Sequence, residues 1–355
     1  MNFDFSDECK QIAAELRRAL SNVCTMDEVR RCLNEARSSR ETWQTLADLG
    51  VLGAAIPEQW GGSGLTHLEL AICAEEIGRA CAPIPTLPSL YLACEGLLTS
   101  GTVSQRERWL PEMARGNATG SVVFEPDGCK WTDGRISGVL PIVPAGMQAD
   151  FIIVAIGENA HLVELAQSGV VRESLRAIDP GYPIAKVKLD SVVSTTLEGS
   201  LIHLADRAAV LLAFEQLGGA ERALEMACHY AKLRYCFGRP IGSYQAIKAK
   251  LADVYVKNQL ARAHAYYGAW ALTTGAPTLP LAAAGARVAA TVAFELAAQE
   301  NLQVHGGIGF TWEADCHPLY KRARSLALAL GTTHTWSCRL VEHLRTSKGC
   351  SDELR

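Results

Sequence analysis

The chain has 355 residues, a formal net charge of −4, and 48% hydrophobic and 20% charged residues. That is enough for roughly two or three packed units around a sizeable core. The balance excludes a disordered chain, and the lack of any Lys/Arg cluster argues against nucleic acid or an anionic membrane surface as a partner. The twelve cysteines are scattered without a C-x-x-C pair and predict reduced thiols in the cytoplasm rather than disulfides or a zinc site.

From the N-terminus, MNFDFSDECK has acids and none of the apolar core of a secretory signal. Helices are predicted for SDECKQIAAELRRAL, with Ser6 or Asp7 as N-cap and Ile12, Leu16 and Leu20 on one stripe, and for ARSSRETWQTLADLG, stopped by Gly50. A third is GLTHLELAICAEEIGRA, with Leu68, Ile72, Glu76 and Ile77 at helical spacing. AAIPEQWGGSG between the last two reads as a loop. From Gly120 to about Leu204 short Val/Ile-rich segments punctuated by Gly, Pro and Asp predict a small β-barrel or sandwich. From Asp206 to about Leu344 long alanine-rich segments predict four antiparallel bundle helices. No uninterrupted run of about 18 apolar residues predicts a membrane span.

Two stretches of the last region carry candidate chemistry. In LRYCFGRPIGSYQAIKAKLAD, Arg234 and Arg239 bracket a turn between two helices, and Gln245 lies in the first turn of the second. An Arg fork beside unpaired helix N–H groups suits a phosphate, although a plain connector with solvated arginines has the same pattern. In QVHGGIGF one C-cap glycine would end the helix, yet Gly306, Gly307 and Gly309 are present. A backbone stripped of side chains lets a ligand approach closely, and a loose turn is the alternative. His305, His264, His317 and His334 follow no metal spacing, and neither a G-x-S-x-G elbow nor a G-x-G-x-x-G after a strand is found.

Taken with LADLGVLGAAIPEQWGGSGL at 46–65, EEIGRA at 75–80, ERWLPEMARG at 107–116, YAKLRYCFGRPIGSYQAIKAKLAD at 230–253 and LQVHGGIGFTWEADCHPLYKRAR at 302–324, these stretches resemble the acyl-CoA dehydrogenase family over nearly the whole chain. The resemblance implies an α+β fold in three domains: N-terminal helical (1–117), middle β-barrel (118–205) and C-terminal four-helix bundle (206–355). It implies FAD as cofactor. Arg234, Phe237, Gln303, Gly306 and Gly307, with Gln245 as a further contact, would hold the pyrophosphate and adenosine of a neighbouring subunit's FAD. The implied reaction is α,β-desaturation of an acyl-CoA: a carboxylate removes the α-proton, the β-hydrogen leaves as hydride to the flavin, and electron-transferring flavoprotein is the expected acceptor.

The sequence departs from the family where it would serve its own flavin. FEPDGCKWT keeps Glu125 and Pro126 but has Phe124 in place of a Thr and lacks the Ser-Asp end, and VLPIVPAG replaces a Trp-Ile-Thr/Ser motif. Leu330 precedes Gly331-Thr332 where most members have the catalytic Glu, and Ala208 stands where others carry it. Asp206, two residues and so about 200° around a helix from Ala208, and Glu215, about two turns further along, are weak candidate bases; the alternatives are an N-cap role for Asp206 and a packing or solvated place for Glu215. This asymmetry implies one subunit of an α2β2 acyl-CoA dehydrogenase whose homologous companion brings the Glu, in members that often act in steroid side-chain degradation. The alternatives are an inactive scaffold and a homo-oligomeric flavoenzyme with altered chemistry.

Overall fold

The computed structural model describes residues 6–347. They divide into two compact units, one of residues 6–21, 71–81 and 209–347, the other of 22–70 and 82–208. The helices of the N-terminal third are α1 (Asp7–Val23), α2 (Met26–Glu35), α3 (Arg40–Asp48), α4 (His67–Arg79), α5 (Glu95–Ser100) and α6 (Val103–Ala114), with a π-helical segment over Thr86–Cys94. Local sequence sets their starts. Ser6 Oγ accepts from Cys9 N, Thr25 caps α2, Ser39 caps α3, and Thr102 with Gln105 forms a capping box on α6. Of the α1 stripe, Leu16 and Leu20 are buried and Ile12 is half-buried.

The middle segment expected as a β-barrel forms two four-stranded sheets. One has the order β1 (Gly120–Phe124), β4 (Phe151–Ile156), β5 (Asn159–Glu164), β8 (Thr195–Thr196); the other runs β2 (Lys130–Thr132), β3 (Arg135–Pro144), β7 (Ile184–Val193), β6 (Val170–Leu175). The first pair, β1 and β4, is parallel and in register from Gly120↔Phe151 to Phe124↔Ala155; the other pairs are antiparallel. Alternate residues of both sheets meet in one core, including Ile136, Leu140, Val143, Ile152, Val154, Val163, Val187 and Leu189, as period-two patterning requires.

The C-terminal region contains α7 (Leu204–Leu233), a hairpin of β9 (Tyr235–Cys236) and β10 (Arg239–Pro240), α8 (Gln245–Thr274), α9 (Leu279–His305), α10 (Cys316–Leu328) and α11 (Thr333–Ser347). The last expected helix is thus split. Leu330 and Gly331 take positive φ, 60° and 94°, which a continuing α-helix cannot accommodate. The buried Arg287 guanidinium binds the end of α10 before the break, donating from Nη2 to Leu326 O and Ala329 O and from Nη1 to Gln216 Oε1 and Thr291 Oγ1. Burial pulls its pKa down to about 10, so it stays charged and complements the negative C-terminal end of α10. Residues Leu279–Phe310 are long and apolar enough to cross a bilayer by composition, and 67% of their most apolar 18-residue window is buried within the chain, as in a core bundle helix.

Two glycines let α4 and α7 touch backbone to backbone inside the first unit. A Cβ on Gly78 would lie 1.8 Å from Glu215 O, and one on Gly218 would lie 1.8 Å from Glu75 O. The acids of the EEIGRA stretch then tie neighbouring helices: Glu75 accepts from Arg262 of α8 at 2.9 and 3.2 Å, and Glu76 from Arg17 of α1 at 2.6 and 2.7 Å.

Candidate functional site

Arg234 extends α7 by one backbone bond, Arg234 N to Tyr230 O, and is exposed. The chain then makes a two-residue hairpin, with Cys236 opposite Arg239 and Tyr235 opposite Pro240, closed by Ile241 N donating to Arg234 O at 2.8 Å. Its tip is Phe237 (φ 51°) and Gly238 (φ 79°), the pattern of a type I′ turn. Glycine is at ease there; a phenylalanine at positive φ is strained, and its side chain is 93% exposed. The chain therefore keeps an aromatic ring at a place where it serves no internal packing. The hairpin's flank is fixed by Tyr244, whose hydroxyl donates to Cys236 O at 2.9 Å and whose ring carries the Arg239 guanidinium 4.0 Å from its centroid.

Gln245 is the exposed first residue of α8, whose N-cap Tyr244 supplies no side-chain acceptor. Among the described residues no partner accepts from the Gln245 or Ala246 N–H. The positive end of a 30-residue helix is thus uncapped beside two arginines, which favours an anion.

The second stretch ends α9. Gln303 is exposed on the last turn, and His305 Nδ1–H donates to Asn301 O at 2.8 Å. Gly306 has φ 62° and ψ −140°, a conformation for glycine. Gly309 is buried, and a Cβ there would meet Leu302 O at 2.5 Å. Gly307 differs from both: its φ is not positive, and a Cβ would meet nothing within 4 Å. The chain itself has no need of glycine at 307.

A small core joins the two stretches at one end of the bundle. Ala227, Ala231 and Val304 are packed by Tyr230, Ile241, Ile247 and Leu251, and the Tyr230 ring stacks on His305 with centroids 4.1 Å apart. The elements bearing Arg234, Phe237 and Gln245 and those bearing Gln303, Gly306 and Gly307 are thereby fixed to each other. A guanidinium, an uncapped helix start, two primary amides and bare main chain are the donors that a dinucleotide diphosphate requires, so these residues fit FAD.

The positions relevant to a base are placed differently. Asp206, in the first turn of α7, is 1% exposed, with Oδ2 3.4 Å from His203 Nδ1. Ala208 is fully buried, and Glu215 is buried with Arg322 Nη1 3.7 Å away. Leu330 holds the break before α11, where its carbonyl accepts from Trp336 Nε1 at 2.8 Å. Phe124 is 38% exposed at the end of β1, next to Glu125 at φ 42°.

Two features escaped the sequence reading. One is Arg287, whose signal was a lone arginine inside an alanine-rich helix. The other is an ion cluster of His67, Glu95 and Arg207, residues separated by up to 140 positions, for which the sequence offers no local signal.

Comparison with known proteins bears on the family and the fold. The acyl-CoA dehydrogenase N-terminal domain matches residues 6–117 and the C-terminal domain matches residues 202–342. Acyl-CoA dehydrogenase IpdE2 of Mycobacterium tuberculosis (strain ATCC 25618 / H37Rv) is 36% identical over 289 residues, 81% of each chain. Among solved structures, the Tcur3481-Tcur3483 steroid ACAD G363A variant is similar with a TM-score of 0.89 and 28% identity, covering 97% of this chain and 99% of that one. The ChsE4-ChsE5 complex from Mycobacterium tuberculosis is similar with a TM-score of 0.89 and 25% identity over the same shares. With both terminal domains matched and the helical, sheet and bundle order in place, the chain belongs to the acyl-CoA dehydrogenase family, a family of FAD-dependent oxidoreductases.

Proposed function

We propose that this chain is one subunit of a heteromeric acyl-CoA dehydrogenase and that the end of its bundle completes the FAD site of a homologous companion. The observation that carries the reading is Gly307, where a Cβ would meet nothing within 4 Å and φ is not positive, on the same bundle end as a strained and 93% exposed Phe237. Both residues make sense only against something outside the chain.

On this reading the domains are 1–117, 118–205 and 206–355. Arg234 opposes the diphosphate charge, Gln245 and Gln303 donate amide hydrogen bonds, Gly306 and Gly307 leave backbone room, and Phe237 covers an apolar face of the nucleotide. FAD, when bound, supplies the hydride acceptor for the α,β-desaturation of an acyl-CoA thioester. This chain's residues bind and orient at the adenylate end, and the base comes from the companion's Glu, because neither Leu330 nor Ala208 can accept a proton; Asp206 remains the weak internal candidate. Two similar structures support a two-chain assembly, the Tcur3481-Tcur3483 steroid ACAD variant and the ChsE4-ChsE5 complex. A bulky, steroid-type acyl-CoA is therefore the proposed substrate class, with a cytoplasmic location and electron-transferring flavoprotein as acceptor.

The test is co-expression with a homologous chain that has the Glu base and an intact flavin loop, measuring flavin per complex and acyl-CoA turnover. The expected result is one FAD per pair of unlike chains. Arg234→Ala removes a charged phosphate contact of about 1.5–3 kcal/mol, so flavin affinity should fall roughly ten- to a hundredfold. Unchanged flavin retention in that variant would remove Arg234 from the site.

A further inference from the structure

Away from the nucleotide end, the first two turns of α11 bring a histidine and a cysteine together on one outward face. Trp336 sets that face. It is 1% exposed, and its Nε1 donates to Leu330 O at 2.8 Å. His334 and Cys338 lie two residues to either side of it, each about 200° around the helix from the indole and so about 40° from one another. Burial of the indole therefore turns both of them outward, and both are exposed. Thr332 Oγ1 accepts from Thr335 N at 3.2 Å, a cap that fixes the turn carrying the pair.

Four residues apart, the two side chains are neighbours on the helix surface. Cys338 Sγ lies 3.6 Å from His334 Nε2. A thiol–imidazole hydrogen bond accounts for that distance, and so does a shared cation. A tetrahedral zinc ion holds sulfur at about 2.3 Å and imidazole nitrogen at about 2.0–2.1 Å, which sets the two atoms about 3.5 Å apart. Two further observations favour the cation. Among the described residues no other side chain engages the thiol or the ring, so both lone pairs are available. Arg339, the cation next to Cys338 in sequence, stacks over the Trp336 ring at 4.3 Å from its centroid and is engaged by the indole instead of the sulfur. Glu342 stands one turn further along the same face, yet no third His, Cys, Asp or Glu among the described residues completes a metal cluster. The remaining coordination positions are left to water or to a donor from outside the chain. No second histidine stands at metal spacing from His334 in the sequence; the second donor is a thiol.

We propose that His334 and Cys338 form a two-donor site for a thiophilic divalent cation of the zinc type. On binding, the thiol releases its proton to solvent, the sulfur and Nε2 each give an electron pair to the cation, and nothing is oxidised or reduced. A thiolate beside an imidazole selects zinc-like ions over calcium and magnesium, which take oxygen donors. The site is independent of the heteromeric reading, since none of its residues belongs to the nucleotide end.

The test is alkylation of the full chain with iodoacetamide, mapped by peptide mass spectrometry, with and without zinc. Saturating zinc should slow labelling of Cys338 by at least about tenfold, because a metal-bound sulfur is a poorer nucleophile than a free thiolate. It should leave Cys236, the exposed thiol of the hairpin, at its own rate, and magnesium should protect neither. Cobalt(II) should give a sulfur-to-metal charge-transfer band that is lost in Cys338→Ser. His334→Ala should need at least about tenfold more cobalt, since a tethered second donor binds without a second free encounter. Both replaced side chains are exposed, so each variant should keep the parent's Tm. If Cys338 is alkylated as fast with zinc as without, if zinc protects Cys236 equally, if magnesium protects as zinc does, or if His334→Ala binds cobalt as tightly as the parent, the pair is a hydrogen bond alone and the proposal fails.

Discussion

Residues 61–64 read GGSG and residues 306–309 read GGIG. As strings they are nearly the same, and as structures they are opposites. A Cβ on Gly62 would come within 2.0 Å of Ile56 O and 2.5 Å of Ile56 Cβ, and Gly61 takes φ 78°. That loop is glycine-rich because its own chain crowds it. At the end of α9 the crowding is confined to Gly309, Gly306 is set by its backbone angle, and Gly307 is bounded by nothing within 4 Å. Gly307, which its own fold does not explain, points outward, whereas the crowding at Gly62 is accounted for by its own chain.

Substitution should separate the two loops most clearly at Gly62. Gly62→Ala forces backbone apart and should cost on the order of 3 kcal/mol or more, read as a collapsed Tm or loss of folded protein. Gly307→Ala should leave Tm within about 1 °C, while flavin affinity in the assembled pair falls about tenfold, the equivalent of ~1.4 kcal/mol. If Gly307→Ala instead unfolds the chain, the contrast is wrong at its root. The ion cluster of His67, buried Glu95 and Arg207 offers a pH test. Burial alone would raise the Glu95 pKa, but His67 and Arg207 together outweigh it. Glu95 has a folded pKa below its ordinary 4.5, so its ion pairs contribute fully above that ordinary value and are lost as pH falls through the lowered one. The Tm gap between the parent and Glu95→Gln should therefore be constant near neutrality and close in strong acid; a gap that widens on acidification would reverse the assigned sign. The smallest effect is a labelling rate. Cys236 in the hairpin and Cys338 on α11 are both exposed thiols, and alkylation of Cys236 alone should slow when companion and FAD are added.

Much of the architecture was legible because it rests on periodicity. The α1 stripe, the long alanine-rich bundle helices and the alternating strands each bury one face, and burial on one face writes a pattern. Thr86–Cys94 wrote none. Every residue in it is buried, so it has no polar face to mark a period, and two residues at positive φ rather than a proline divide the last helix at Leu330 and Gly331. The candidate cofactor end was legible through residue type at fixed spacing, Arg234 to Phe237 and Gln303 to Gly307. The triad of His67, Glu95 and Arg207 was not, because its members converge only after three separate helices have packed. Nor could sequence alone tell which glycines were steric. That distinction is a distance to a neighbour, and the neighbour at Gly62 is six residues away while at Gly307 there is none.

The hairpin tip has a consequence for how such a protein is improved or degraded by mutation. An Asn-Gly pair is the sequence that a type I′ turn favours, so Phe237→Asn should make the lone chain more stable, by about 1 kcal/mol once the positive-φ penalty is relieved. Any procedure that ranks variants by the robustness of the monomer would select that change and, on the heteromeric proposal, erase a feature whose benefit exists only in company. On that proposal, selection on this position acts through the pair.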